Sequence, residues 1–198
     1  LENKQVILVK MNNRHLLSLI IMMLGLFLSV GAQAQSKYVN IEWEQLMPFE
    51  DLDILLNPPE FLSGIEDQAS NDNMSTLDQA SPTDAEAKKY QQALESTRVV
   101  ETFNNKAIRL PGFIVPIETN EKKRVTQFFI VPYFGACLHM PPPPPNQIIY
   151  ATSEKGIELT SLYDAFWFEG VLKIDTTDTM VGTSAYSMNP DKIYPYED

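Results

Sequence analysis

The stretch AIRLPGFIVPIETNEKKRVTQFFIV, residues 107–131, decides the fold. Ile108 and Leu110 share one parity while Phe113, Val115 and Ile117 share the other, and alternation of this kind is the mark of a β-strand whose side chains point to opposite faces. The parity changes at Pro111-Gly112, so the spacing predicts one long strand, bulged or sharply bent at that dipeptide. A second strand follows at Val125–Val131 and is closed by Pro132, which cannot donate to a central ladder.

Outward from this pair, Gln147–Thr152 reads as a third strand and Leu159–Ala165 as a short helical turn. Phe166, Phe168, Leu172 and Ile174 then alternate with Trp167, Glu169, Val171, Lys173 and Asp175, a period of two, and Thr183–Met188 supplies a last short strand. A long bent strand, two strands, a short helical connector and two strands are the elements of a small five-stranded Greek-key barrel of the OB type. Strand order alone also admits another antiparallel barrel or a sandwich. Upstream, Ser81-Pro82-Thr83-Asp84 provides an N-cap, a proline at the first helical position and an acid in the first turn, so a helix is expected from Pro82 to Ser96. Residues 82–198 are thus read as one helix plus the barrel. Residues 35–65, with apolar anchors such as Ile41, Trp43 and Leu46 cut by Pro48, Pro58 and Pro59, read as an N-terminal arm. Between them residues 66–81 are acidic and polar, too poor in apolar groups to offset ordering, and read as a flexible loop.

The chain has 198 residues, enough for one core of ordinary size. Its net charge of −11 repels phosphate backbones and anionic lipid, which argues against nucleic-acid or membrane-surface binding. Lys10 and Arg14 precede an uncharged run from Leu16 to Val30, followed by Gly31-Ala32-Gln33-Ala34. A basic start, a short apolar run and an A-x-A-like exit describe a secretory signal peptide over residues 1–34, cleaved near Ala34. Residues 1–10 lie ahead of Met11 and read as an upstream extension. The run is shorter than a membrane span and no cysteine adjoins the cleavage site, so the expectation is a soluble exported protein without an anchor, periplasmic in a Gram-negative cell.

One histidine, His139, remains after the leader, and Cys137 is the sole cysteine. Both lie in Pro132-Tyr133-Phe134-Gly135-Ala136-Cys137-Leu138-His139-Met140, which runs into five consecutive prolines, Pro141, Pro142, Pro143, Pro144 and Pro145. Proline runs hold polyproline II geometry, so a stiff rod follows the Cys-Leu-His triplet. In an extended segment residues two apart point the same way, which makes Cys137 and His139 a same-face chelating pair of soft and borderline donors. A buried thiol beside a backbone-bonded histidine, with the prolines as a covering strap, is the plainer alternative.

The run GACLHMPPPPPNQ, together with RLPGFIVPIE, FFIVPYF, WFEGVLKID and AYSM, resembles an uncharacterised bacterial exported, lipoprotein-like family known only as a domain of unknown function. The likeness covers about residues 37–195. It implies zinc-related traffic beside a metal-uptake ABC transporter, with that transporter as partner, and no established activity. Zinc wants four ligands, and Cys137 and His139 supply two. Carboxylates, the same pair from a second copy in a homodimer, or a transporter-associated partner would complete the shell.

Motifs for catalysis are missing from the sequence. There is no GxSxG elbow, no phosphate-cradling glycine loop, and Cys137 and His139 stand too close on one segment for a Cys-His protease pairing. A non-catalytic accessory role is therefore expected. Two alternatives stand beside it: a single-thiol redox protein built on Cys137, and a peptide- or protein-binding barrel presenting Tyr133, Phe134, Met140 and the Pro141–Pro145 rod.

Overall fold

The structure, a computed structural model, describes residues 37–59, 85–136 and 142–196. The expected leader over residues 1–34, the expected flexible loop over 66–81, the start of the expected 82–96 helix, and Cys137, His139, Met140 and Pro141 lie outside the described residues.

Six strands and two helices make up the described chain: β1 (Val39–Asn40), α1 (Phe49–Leu56), α2 (Ala85–Leu94), β2 (Lys106–Thr119), β3 (Val125–Val131), β4 (Ile149–Ile157), β5 (Ala165–Asp178) and β6 (Thr183–Pro195). The sheet order is β1-β2-β3-β4-β6-β5, and β2 also pairs with β5, so β2 to β6 close into a barrel. With β2 as the first barrel strand, the neighbour order is 1-2-3-5-4-1, with the third and fifth strands parallel. That is the OB arrangement expected from the strand sequence.

Strand β2 departs from expectation at Pro111-Gly112. Ile108, Leu110, Gly112 and Ile114 are all buried in turn, and pairing with β5 runs without interruption from Lys106↔Leu172 to Phe113↔Ala165. Parity is therefore unbroken there, and the register shifts fall later, between Pro116 and Thr119. The reason is that β2 is covered on both sides. Ile108, Leu110 and Ile114 join the interior with Phe128, Ile130, Ile149, Phe168, Leu172 and Met188. Phe113, Val115 and Ile117 pack outside the barrel with Phe129, Val131, Ala136, Ile148 and Tyr150. A strand with two apolar faces and a glycine in the middle of one of them mimics a change of parity.

Pro111 fits the middle of this strand because its nitrogen lies on the arm side. Arg109 turns its carbonyl to the Ile41 N–H (3.0 Å), and Pro111, two residues on, turns its carbonyl to the Trp43 indole N–H (2.7 Å). No ladder bond is lost on the β5 side. The arm is thus part of the core: Ile41, Trp43 and Leu46 are all buried in the main cluster. Tyr186, fully buried on β6, donates its hydroxyl to the Leu46 carbonyl (2.8 Å) and accepts the Val100 N–H (2.8 Å), tying the arm and the segment after α2 to one barrel strand.

Three further boundaries differ. Residues 159–164 form a turn and loop without a helix, so the barrel lacks the connector expected between β4 and β5. Strand β4 starts at Ile149 and continues to Ile157, because Gln147 belongs to a 3₁₀ turn. Strand β6 continues past Met188 to Pro195. Pro190 lies at a register shift, and Pro195 faces Phe166 in a pair that exchanges no hydrogen bonds, since the flanking Tyr196 N–H bonds the Ala165 carbonyl. Both prolines sit where a donor is dispensable, which is why they do not end the strand.

Candidate functional site

The β3–β4 connection, residues 132–148, carries every site residue proposed from the sequence. Its first half leaves the barrel at Pro132. Tyr133 is 43% exposed. Phe134 is half-buried, edge-on to Phe113 with centroids 6.4 Å apart and stacked on Tyr163 at 4.2 Å. Gly135 takes a positive φ of 76°, which a side-chain-free residue adopts without strain, and the turn bonds the Ala136 N–H to the Tyr133 carbonyl. Ala136 is then fully buried in the outer apolar cluster.

The second half is pinned as firmly. Pro142 is exposed, whereas Pro143 and Pro144 are buried and Pro145 is half-buried. Pro144 has φ −64° and ψ 157°, the polyproline II geometry expected of the run. The Gln147 N–H bonds the Pro144 carbonyl (2.8 Å), closing the Pro145–Gln147 turn. Gln147 Nε2 donates to the Trp43 carbonyl (2.8 Å) and Asn146 Nδ2 to the Arg98 carbonyl (3.0 Å). Arg98 is held in turn by Asp51 of α1, a buried carboxylate that accepts from Ser96 Oγ (2.6 Å), from Arg98 Nε (3.2 Å) and from a second guanidinium nitrogen. The connection therefore rises from one buried anchor, Ala136, and returns to another, Pro143–Gln147, with Cys137 and His139 between them.

Asn146 is fully buried, and its Oδ1 has no hydrogen-bond partner among the described residues. Buried acceptors of this kind are usually satisfied, so an open one at the foot of the loop marks a place where a donor belongs. Among the described residues no group of three or more His, Cys, Asp or Glu side chains is assembled to hold a metal ion.

Sequence reasoning missed Asp51, Ser96 and Arg98, which set the height of the loop's second anchor, and Tyr163, which stacks on Phe134. No local pattern could have found them, because each contact joins segments far apart in the chain. The Asn-Gln pair directly after the prolines was the available signal, since a helical turn starting at proline leaves the next side chains free to bond across to neighbours.

The fold and the pinned connection define a small OB-type barrel with a β3–β4 connection anchored on both sides. The chain belongs to the DUF3299 family, proteins of unknown function, whose family model matches residues 43–195. A solved structure similar to it is that of a DUF3299 family protein from Pseudomonas aeruginosa PAO1, 33% identical, covering 81% of this chain and 97% of its own, with a TM-score of 0.59. No curated protein matches the chain.

Proposed function

We propose that the protein is an exported, periplasmic, non-catalytic accessory of metal handling, binding zinc through Cys137 and His139 and passing it to a transporter-associated partner. What carries the reading is that the sole cysteine and the one histidine outside the leader fall two residues apart in a connection pinned at both ends. Anchors on either side lower the ordering cost of presenting two ligands together. The donor set fits zinc, which accepts thiolate and imidazole. A ligating imidazole needs an acceptor for its second nitrogen, and the unpaired Asn146 Oδ1 in the same connection is an acceptor of that kind. Two ligands from one chain make an open shell, suited to transfer because a complete Cys/His cage releases metal slowly. A second copy or a partner would supply the remainder, docking on the segment that carries Tyr133, Phe134, Met140 and Pro141–Pro145, in which Tyr133 and Pro142 are exposed.

Calorimetric titration of the protein with zinc at neutral pH tests this. The expected result is micromolar or weaker binding that Cys137→Ser and His139→Ala each abolish. It should weaken as pH falls, because thiolate and imidazole must shed protons to ligate. Absence of binding, or binding indifferent to both substitutions, would show that Cys137 is a packed thiol and the prolines a strap.

A further inference from the structure

Strands β4 and β6 pair in parallel only over Ile149–Ala151 and Tyr186–Met188. Beyond that their arms part around a cleft of about 1070 Å³, on the side where the barrel lacks a connecting helix. Two exposed tyrosines line it, Tyr163 at 71% and Tyr196 at 42% exposure. Each has one face backed by a second ring. Tyr163 stacks on Phe134 at 4.2 Å with planes 28° apart, and Tyr196 lies on Trp167 at 5.1 Å and 32°. A backed ring keeps its plane without further ordering, so its open face is a preformed platform for another flat, weakly polar surface.

The remaining lining says what that surface belongs to. Arg124 meets Glu158 at 3.9 Å, Lys192 meets Glu169 at 2.9 Å, and Asp191 takes the Tyr38 hydroxyl at 2.7 Å and Lys37 at 3.3 Å. Glu154, Lys155 and Asp164 also line the cleft, so its charges are of mixed sign with one more acid than base; no concentrated field selects an ionic ligand, and the chain's charge of −11 opposes a nucleic acid. A peptide strand is also poorly served. The β6 edge facing the cleft offers the Ile193 N–H, but Pro190 and Pro195 on either side have none, a common guard against strand addition. Neutral polar groups do line the walls: Thr160, and Asn189, whose Oδ1 accepts from Thr152 Oγ1 (2.6 Å) and whose amide nitrogen is left to donate.

We propose that this cleft binds a neutral oligosaccharide, with the C–H face of a sugar ring stacked on Tyr163 or Tyr196 and its hydroxyls bonded to Asn189 and Thr160. The site adjoins the β3–β4 connection through the Phe134–Tyr163 stack but uses neither Cys137 nor His139, and it does not depend on metal.

Saturation-transfer NMR on the full chain, with maltotetraose, cellotetraose and chitotetraose as probes, tests the proposal. At least one tetrasaccharide is expected to receive saturation on its ring C–H protons. Its affinity should fall about tenfold in at least one of Tyr163→Ala and Tyr196→Ala, while Tyr163→Phe, which keeps the ring, binds as the parent does. Both tyrosines are exposed, and unchanged melting temperatures would show that the variants fold. The proposal is overturned if none of the three sugars binds at about 10 mM, or if binding survives both alanine substitutions. It is equally overturned if decaproline binds the cleft and the sugars do not, which would make the rings a polyproline reader.

Discussion

A Cβ built on Gly112 would lie 2.8 Å from Ile130 Cγ2, 3.0 Å from the Val131 carbonyl and 3.2 Å from Trp43 Cζ2. The first contact is a branched, buried side chain and the second is backbone of the paired strand, so neither yields without moving β3. The bare hydrogen at this position is what lets the arm's indole close over the barrel and reach the Pro111 carbonyl. Gly112→Ala is therefore expected to destabilise the fold by about 1–3 kcal/mol, as overpacking of a filled core does. Urea unfolding of the variant checks this, and parental stability would mean that Trp43 and Ile130 repack freely. At this scale the sequence was half legible. Pro111-Gly112 stood out as special, but the special feature is close approach, and a missing Cβ has the same appearance in a sequence whether the chain bends or a neighbour comes near.

At the scale of elements, the arm, the proline segment and the barrel are held by a few polar bonds through an apolar interior. The Tyr186 hydroxyl bridges two elements, giving a hydrogen to Leu46 and taking one from Val100. Burial raises its pKa, an effect opposed by the Val100 N–H, so the phenol stays protonated and able to donate at any ordinary pH. Tyr186→Phe keeps the ring's volume but strands a buried carbonyl and a partly buried N–H, and should cost about 1–3 kcal/mol. Unfolding equilibria measure the loss. Faster proteolysis within residues 37–59 under native conditions would show that the arm is what loosens, and an unchanged cleavage rate would contradict that. The strands themselves were readable because alternation is a local signal. The length of β6 was not, because Pro190 and Pro195 look like terminators until their partners are known.

For the whole molecule, the outer face of β2, β5 and β6 carries a ladder of charges. Arg109 faces Glu169 across the β2–β5 pair and Lys192 faces it across β5–β6. Arg109 also lies 3.8 Å over the Trp167 ring, and its Nε donates to the Tyr194 hydroxyl (2.8 Å). The Lys192 hydrogen bond, aided by Tyr194 and Arg109 and opposed by desolvation, holds Glu169 below its ordinary value of 4.5. Asp191 is likewise lowered from 3.8, by hydrogen bonds from Tyr38 and Lys37. A carboxylate whose folded pKa lies below its unfolded one adds stability above the unfolded value and loses it as pH falls through the folded one. The melting temperature should thus stay level from neutral pH to about pH 5 and decline below about pH 4.5, with Glu169→Gln flattening part of that slope. Differential scanning calorimetry across this range is the check, and a Glu169→Gln slope identical to the parent's would remove Glu169 from the account.

The sequence by itself determined the strand periods, the succession of five barrel strands, the acidic character and the singularity of the Cys137–His139 segment. Each of these is a property of neighbours along the chain or of composition, and alternation, capping and residue counts need no knowledge of what lies across the sheet. Only the tertiary structure decided that β2 is buried on both faces, that the arm is core and not cover, and that Pro143 and Pro144 are buried anchors. It alone also brought Tyr163 to Phe134 and Tyr196 to Trp167 beside one cleft. Those outcomes depend on contacts between distant segments, whose selection is made by the packing of the closed barrel, and no window along the chain contains both partners.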